Sequence, residues 1–318
     1  VSKAVPENEI RDITIGVVIV SLIAGLAYII PVMGFIFAVF VPLPVMLFRI
    51  KLGRINGSLV PAISIILIYL IYHGQGSDLV MFAVLMILGL VLCEFMERNW
   101  PIDPTIIVSS GIVLVGSLAF LLIYGSFSGK SIVGLTSAYI QKNLEMTLTL
   151  YQQMDMPRDT IDVISRSAAQ IQYVLVRLTP ALIIMSILFV SWINILTARL
   201  LFYRFRVPFP DYGLLNRWKA PEQLVWIAIS SGLMLLFPST PLKLVGMNIL
   251  LILLIIYMFQ GMAIASYYFD KKNFPRWART VLYTVIFLQQ FALIVIIGLG
   301  FFDLWLDFRK LKQKEVPG

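Results

Sequence analysis

Histidine and cysteine occur once each in the 318 residues, as His73 and Cys93. One histidine with one nearby acid, Asp78, cannot supply the three or four ligands of a usual transition-metal site. A Ser-His-Asp triad would have to be built on His73 alone. A lone cysteine excludes an internal disulfide, so neither a metal nor another cofactor is expected. Charge is scarce as well: Asp, Glu, Lys and Arg make up 13% of the chain, against about 25% in soluble domains. No intact nucleotide motif is present. Gly125-Ser-Phe-Ser-Gly129-Lys130-Ser131 has three residues between its glycines where the phosphate loop needs four, and a turn capping an apolar segment explains it. Sustained period-two alternation is missing, which argues against a β-barrel. The first apolar segment lacks the marks of a signal peptide, because Glu7, Glu9 and Asp12 outnumber Lys3 and Arg11 before it and no A-x-A site closes it.

Apolar sequence is abundant instead. Hydrophobic residues make up 59% of the chain, with a mean hydropathy of +0.91. A helix needs roughly 20 apolar residues to cross a hydrocarbon core of about 30 Å. Candidate segments are Ile13–Ile30, Met33–Phe48, Leu59–Tyr72, Asp78–Met96, Thr105–Tyr124, Val176–Ala198, Gln223–Phe237, Pro241–Phe269 and Thr280–Phe302. The expected fold is all-α: a polytopic transmembrane helix bundle of eight to nine spans with an extracytoplasmic helical hairpin. Basic residues sit in short loops at Arg49–Arg54, Arg98, Arg199–Lys219 and Lys271–Arg279, which places those loops and the N-terminus inside. Nine spans then leave the basic tail, Arg309 to Lys314, outside, unless one segment is re-entrant. The net charge of +8 suits anionic inner-leaflet lipids and gives no case for nucleic acid.

Between Gly125 and Arg177 the membrane pattern stops. Ile140, Leu144, Leu148 and Tyr151 follow one helical stripe. Asp155 before Pro157 reads as a helix start, and Ile161, Ile164, Ala168, Ile171, Val174 and Leu178 continue it into the next span. The chain therefore divides into a five-span N-terminal bundle (1–124), a helical hairpin (125–177), a C-terminal bundle (178–302) and an amphipathic basic tail (303–318), with a short interfacial helix expected from about Asp303 to Leu311.

Few polar groups fall within the spans. Gln260, Gln289 and Gln290, with Glu94, are the candidate substrate-binding residues, because hydrocarbon offers such groups no partner. Glu94 has the simpler reading of an interfacial ion pair with Arg98 at i+4. Asn194 and Asn248 read as interhelical glue. Pro42, Pro44 and Pro61 are structural or hinge candidates, since each removes a backbone donor. Arg49, Trp305, Asp307 and Arg309 are candidates for partner or lipid contacts.

Two regions carry a family likeness. One is Pro42-Leu-Pro-Val-Met-Leu-Phe-Arg49 followed by Gly53-Arg54 and Gly57. The other is Phe259-Gln-Gly-Met-Ala263 with Pro275-Arg-Trp277 and the end Gly298-Leu-Gly300-Phe-Phe-Asp303-Leu-Trp-Leu-Asp307-Phe-Arg309. Together they resemble the YybS-like family of bacterial multi-span membrane proteins, a domain of unknown function. The resemblance implies a multi-pass protein of the bacterial cytoplasmic membrane and brings no activity with it. The first six spans are also similar, more weakly, to the substrate-binding S components of energy-coupling-factor vitamin transporters, which implies a small metabolite taken from outside with separate coupling subunits. About fifty additional residues before the sixth span and three further spans set this chain apart from them. The first functional expectation is thus binding or transport of a small molecule or lipid, with membrane lipids and other membrane subunits as partners. The alternatives are a non-enzymatic membrane scaffold and a membrane enzyme acting on lipid phosphates.

Overall fold

The computed structural model describes residues 7–30, 34–71, 77–154 and 158–310. Every regular element among them is helical. His73, the Asp155–Pro157 cap and the tail beyond Lys310 lie outside the described residues. The chain forms two compact units, residues 1–124 with 186–212, and residues 125–185 with 213–318.

The first unit contains α1 (Glu7–Ile29), α2 (Gly34–Val39), α3 (Pro42–Ile71), α4 (Ser77–Glu97), most of α5 (Ile102–Ser128) and the second part of α7 (Arg158–Phe205). The chain leaves α2 through a turn at Phe40–Val41 and starts α3 with Pro42, a position where the missing N–H costs nothing. Inside α3, Gly53 takes φ 79° and ψ −178°, a region open essentially to glycine alone. The chain reverses there: a Cβ on Gly57 would fall on the backbone of Arg49 and Phe48. Pro61 stays within the second arm of α3. Val20, Ala24, Met46, Met86, Leu92 and Ile195 form the buried centre. Asn194 donates from Nδ2 to the Val39 and Val190 carbonyls, both at 2.7 Å, so it satisfies the end of α2.

The second unit contains α6 (Ile132–Gln153), the first part of α7, α8 (Gln223–Met234), α9 (Thr240–Lys271), α10 (Arg276–Leu288) and α11 (Gln290–Leu306). The Ser131 hydroxyl accepts from the Gly134 N–H at 3.1 Å and starts α6. The stripe Ile140, Leu144, Leu148 and Tyr151 is half-buried, as are Ile161, Ile164, Ala168, Ile171 and Val174 of α7. Gln172 ties the two helices by donating to the Ser137 Oγ at 2.8 Å. Pro180 interrupts the ladder of α7, and Asn248 of α9 fills the gap. Its Nδ2 donates to the Arg177 carbonyl at 3.1 Å and its Oδ1 accepts from the Ala181 N–H at 3.3 Å. Gly261 of α9 and Gly300 of α11 meet at a crossing so close that a Cβ on either would overlap the other helix's backbone.

Among the described residues, six stretches are long and apolar enough to cross a membrane: Asn8–Ile29, Gly34–Ile71, Leu79–Glu97, Ile102–Ser128, Ile161–Phe205 and Thr240–Lys271. A seventh is added if α10 and α11 count as one span. The sequence alone leads to an expectation of eight to nine. The second and third segments are two helical arms within Gly34–Ile71, joined by the reversal at Gly53. Gln223–Met234 is a shorter apolar helix of 12 residues, about 18 Å long. The last segment bends by 100° between α10 and α11.

Candidate functional site

The densest buried polar group lies in the second unit. Asp303, in the last turn of α11, is 1% exposed, and Arg309 just beyond that helix is 2% exposed. Asp307 ends α11 in the left-handed conformation (φ 37°, ψ 57°) and Lys310 is left-handed too (φ 52°). The interfacial helix expected over Asp303–Leu311 does not form within the described residues. Asp303 faces the interior instead of the polar side, and the reversal at Asp307 turns Arg309 inward.

Arg309 Nη2 pairs with Asp303 Oδ2 at 2.8 Å. Its Nη1 donates to the carbonyls of Asn216 and Trp218 at 3.0 and 2.8 Å. Asp303 Oδ1 accepts the Phe308 N–H at 3.1 Å, and Oδ2 also accepts from Gln260 Nε2 at 3.2 Å. The other end of the Gln260 amide accepts from the Ala220 N–H at 3.3 Å. Tyr268 closes the group by donating to the Phe308 carbonyl at 2.7 Å. These contacts clasp the segment 216–220 against α9 and α11. A buried pair of this kind adds little net stability but is costly to break.

Beside the clasp is a small, partly open cleft of about 10 Å³ whose lining includes Lys219, Glu222, Tyr257, Gln260, Gly300 and Leu304. The buried Tyr257 hydroxyl and Arg309 Nε have no hydrogen-bond partner among the described residues. Pockets for drug-sized ligands run to about 300–1,000 Å³, so this cleft suits water or a single protruding polar group.

A second charged group stands at the reversal of α3. Arg49, 4% exposed, donates to Glu97 at 3.0 Å and Glu94 at 3.4 Å. Arg54 reaches Glu94 at 3.0 Å and Glu97 at 3.3 Å, and Arg98 reaches Glu94 at 2.8 Å. Lys51–Asp12 (2.8 Å) and Asn56–Glu9 (2.8 Å) fasten α1 to the same end. Three arginines share Glu94, so its charge is already matched and it is not an isolated proton carrier.

The remaining candidates are scattered. Gln289 and Gln290 stand exposed at the bend between α10 and α11, remote in role from Gln260, which is committed to Asp303. Pro42 and Pro44 are buried at the start of α3. Trp305 is half exposed. Among the described residues no group of three or more His, Cys, Asp or Glu side chains could hold a metal ion. Sequence reasoning missed Asp303 and Tyr257 as buried polar residues. The available signal was an acid in an otherwise apolar terminal turn.

The sequence model of a family described as a predicted membrane protein, DUF2232, matches residues 18–304. The chain belongs to that family. Within DUF2232, the chain is similar to the uncharacterized protein YybS of Bacillus subtilis (strain 168). Identity is 22% over 312 residues, covering 95% of this chain and 98% of that protein. No solved structure matches. Membership in DUF2232, a full-length bacterial relative and six to seven candidate spans make this a multi-pass membrane protein.

Proposed function

We propose that the protein binds a small molecule or lipid within the membrane, at the interruption between α10 and α11, and presents it for transport. The observation that carries this reading is the 100° bend at Gln289, where two carboxamides stand exposed between apolar helices. An interrupted helix frees backbone donors and acceptors at its break, and discontinuous membrane helices are where transporters build binding sites. With no intact nucleotide motif in the sequence, the energy comes from an ion gradient or from separate subunits. In this reading the N-terminus and the basic loops face the cytoplasm and the α6–α7 hairpin faces outside.

Native mass spectrometry from mild detergent tests the proposal. A bound species of defined mass is expected on the natural protein and lost from the double variant Gln289→Ala/Gln290→Ala at unchanged melting temperature. A natural protein free of any adduct, or a variant that keeps it, overturns the reading. One observation favours a second function, membrane scaffolding: α6 contributes no buried residue, and a helix so exposed is available to a partner subunit. Dominance of a defined hetero-complex without a small adduct in the same spectra would select it.

A further inference from the structure

Both ends of the α10–α11 pair meet the last turn of α9. At the start of α10, Arg279 is ion-paired with Asp270 and donates to the Phe274 carbonyl at 2.8 Å. Just after the end of α11, the Phe308 carbonyl accepts from Tyr268 at 2.7 Å. Asn216 joins the two sides, since its Nδ2 donates to Asp270 at 2.7 Å while its carbonyl accepts from Arg309 at 3.0 Å. The contacts also give directions. Gly261 meets Gly300 and Tyr268 meets Phe308, so α11 advances in the same sense as α9. Asp270 meets Arg279 and Phe269 stacks edge-on with Tyr283, so α10 starts beside the end of α9.

We propose that α10 and α11 form a re-entrant hairpin that enters and leaves the membrane on one side, the side where α9 ends. Their 13 and 17 residues make arms of about 20 and 25 Å at 1.5 Å per residue. With the 100° bend, the apex stands about 17 Å from the line joining the two outer ends, by the same helix rise. That is about half of a hydrocarbon core of about 30 Å. The hairpin therefore dips to mid-membrane and returns, with Gln289 and Gln290 at its deepest point. The basic residues Arg309 and Lys310 then share a side with Lys271 and Lys272, as short-loop charge prefers. This topology is independent of any ligand and of which side is cytoplasmic.

Single cysteines in a Cys93→Ser background test it, at exposed Lys272, exposed Lys310 and exposed Thr240, the last at the opposite end of α9. A membrane-impermeant maleimide is applied to sealed vesicles of both orientations. Lys272→Cys and Lys310→Cys should label from the same side, and Thr240→Cys from the other. Labelling of Lys310→Cys from the Thr240 side would mean that the pair crosses the membrane, and would overturn the proposal.

Discussion

Removing the Arg309 guanidinium while keeping the side chain's length should be the most damaging single change in the second unit. Arg309→Met strips Asp303 of its charge partner and removes the Nη1 donor that serves the Asn216 and Trp218 carbonyls. Asp303 keeps only Gln260 and the Phe308 N–H. An unpaired buried charge costs about 3–5 kcal/mol. For a unit of this size each kcal/mol lowers the melting temperature by about 2–4 °C, so a drop of about 6–20 °C is expected in detergent. Asp303→Asn should cost less, because the amide oxygen still accepts the Phe308 N–H. Replacing both, as Asp303→Leu/Arg309→Met, removes the charges together, and its cost should fall short of the sum by about 1–3 kcal/mol. Thermal unfolding followed by tryptophan fluorescence suits the site, since Trp218 supplies one of the carbonyls. A shift below about 2 °C for Arg309→Met, or strict additivity in the cycle, would refute the clasp.

Two glycine substitutions probe the backbone. Gly53→Ala should lower stability by about 1–3 kcal/mol, the strain of a side chain at φ 79° and ψ −178°. Gly116→Ala, in a helix with nothing near its Cβ, should be neutral or stabilising by up to about 1 kcal/mol; equal melting points for the two variants would remove the reversal argument. Gly261→Ala should cost about 1–3 kcal/mol by overpacking, read as a lower melting temperature, because its Cβ would meet the Ile296 carbonyl. An unchanged melting temperature would mean that α9 and α11 do not cross so closely.

The apolar segments were legible because composition alone sets them: Asp78–Met96 was expected and α4 spans Ser77–Glu97. The stripes of α6 and α7 were legible for the same kind of reason, a local period that the half-buried faces follow. The bend at Gln289 was not, since no proline or glycine marks it and only the contacts of both outer ends of the α10–α11 pair with the last turn of α9 reveal the return. The Asp303–Arg309 pair was hidden differently. A helical projection sends Asp303 and Asp307 to one polar face, but the left-handed Asp307 breaks the projection before Arg309 is reached. Arg49 drew notice as an interface residue, yet its partners, 45 and 48 residues away, lie beyond any local pattern.

The first unit is assembled from two separated pieces of chain, residues 1–124 and 186–212. Its late piece brings Asn194, which satisfies the Val39 carbonyl, and Ser191, which bonds Ser110 at 3.1 Å. During synthesis the early helices are therefore made well before the strand of chain that completes their core. At about 5–20 residues per second, the intervening stretch of residues 125–185 delays completion by about 3–12 s. For that interval the early helices carry unfilled contacts in the bilayer, a window in which an insertase or membrane chaperone would find them open.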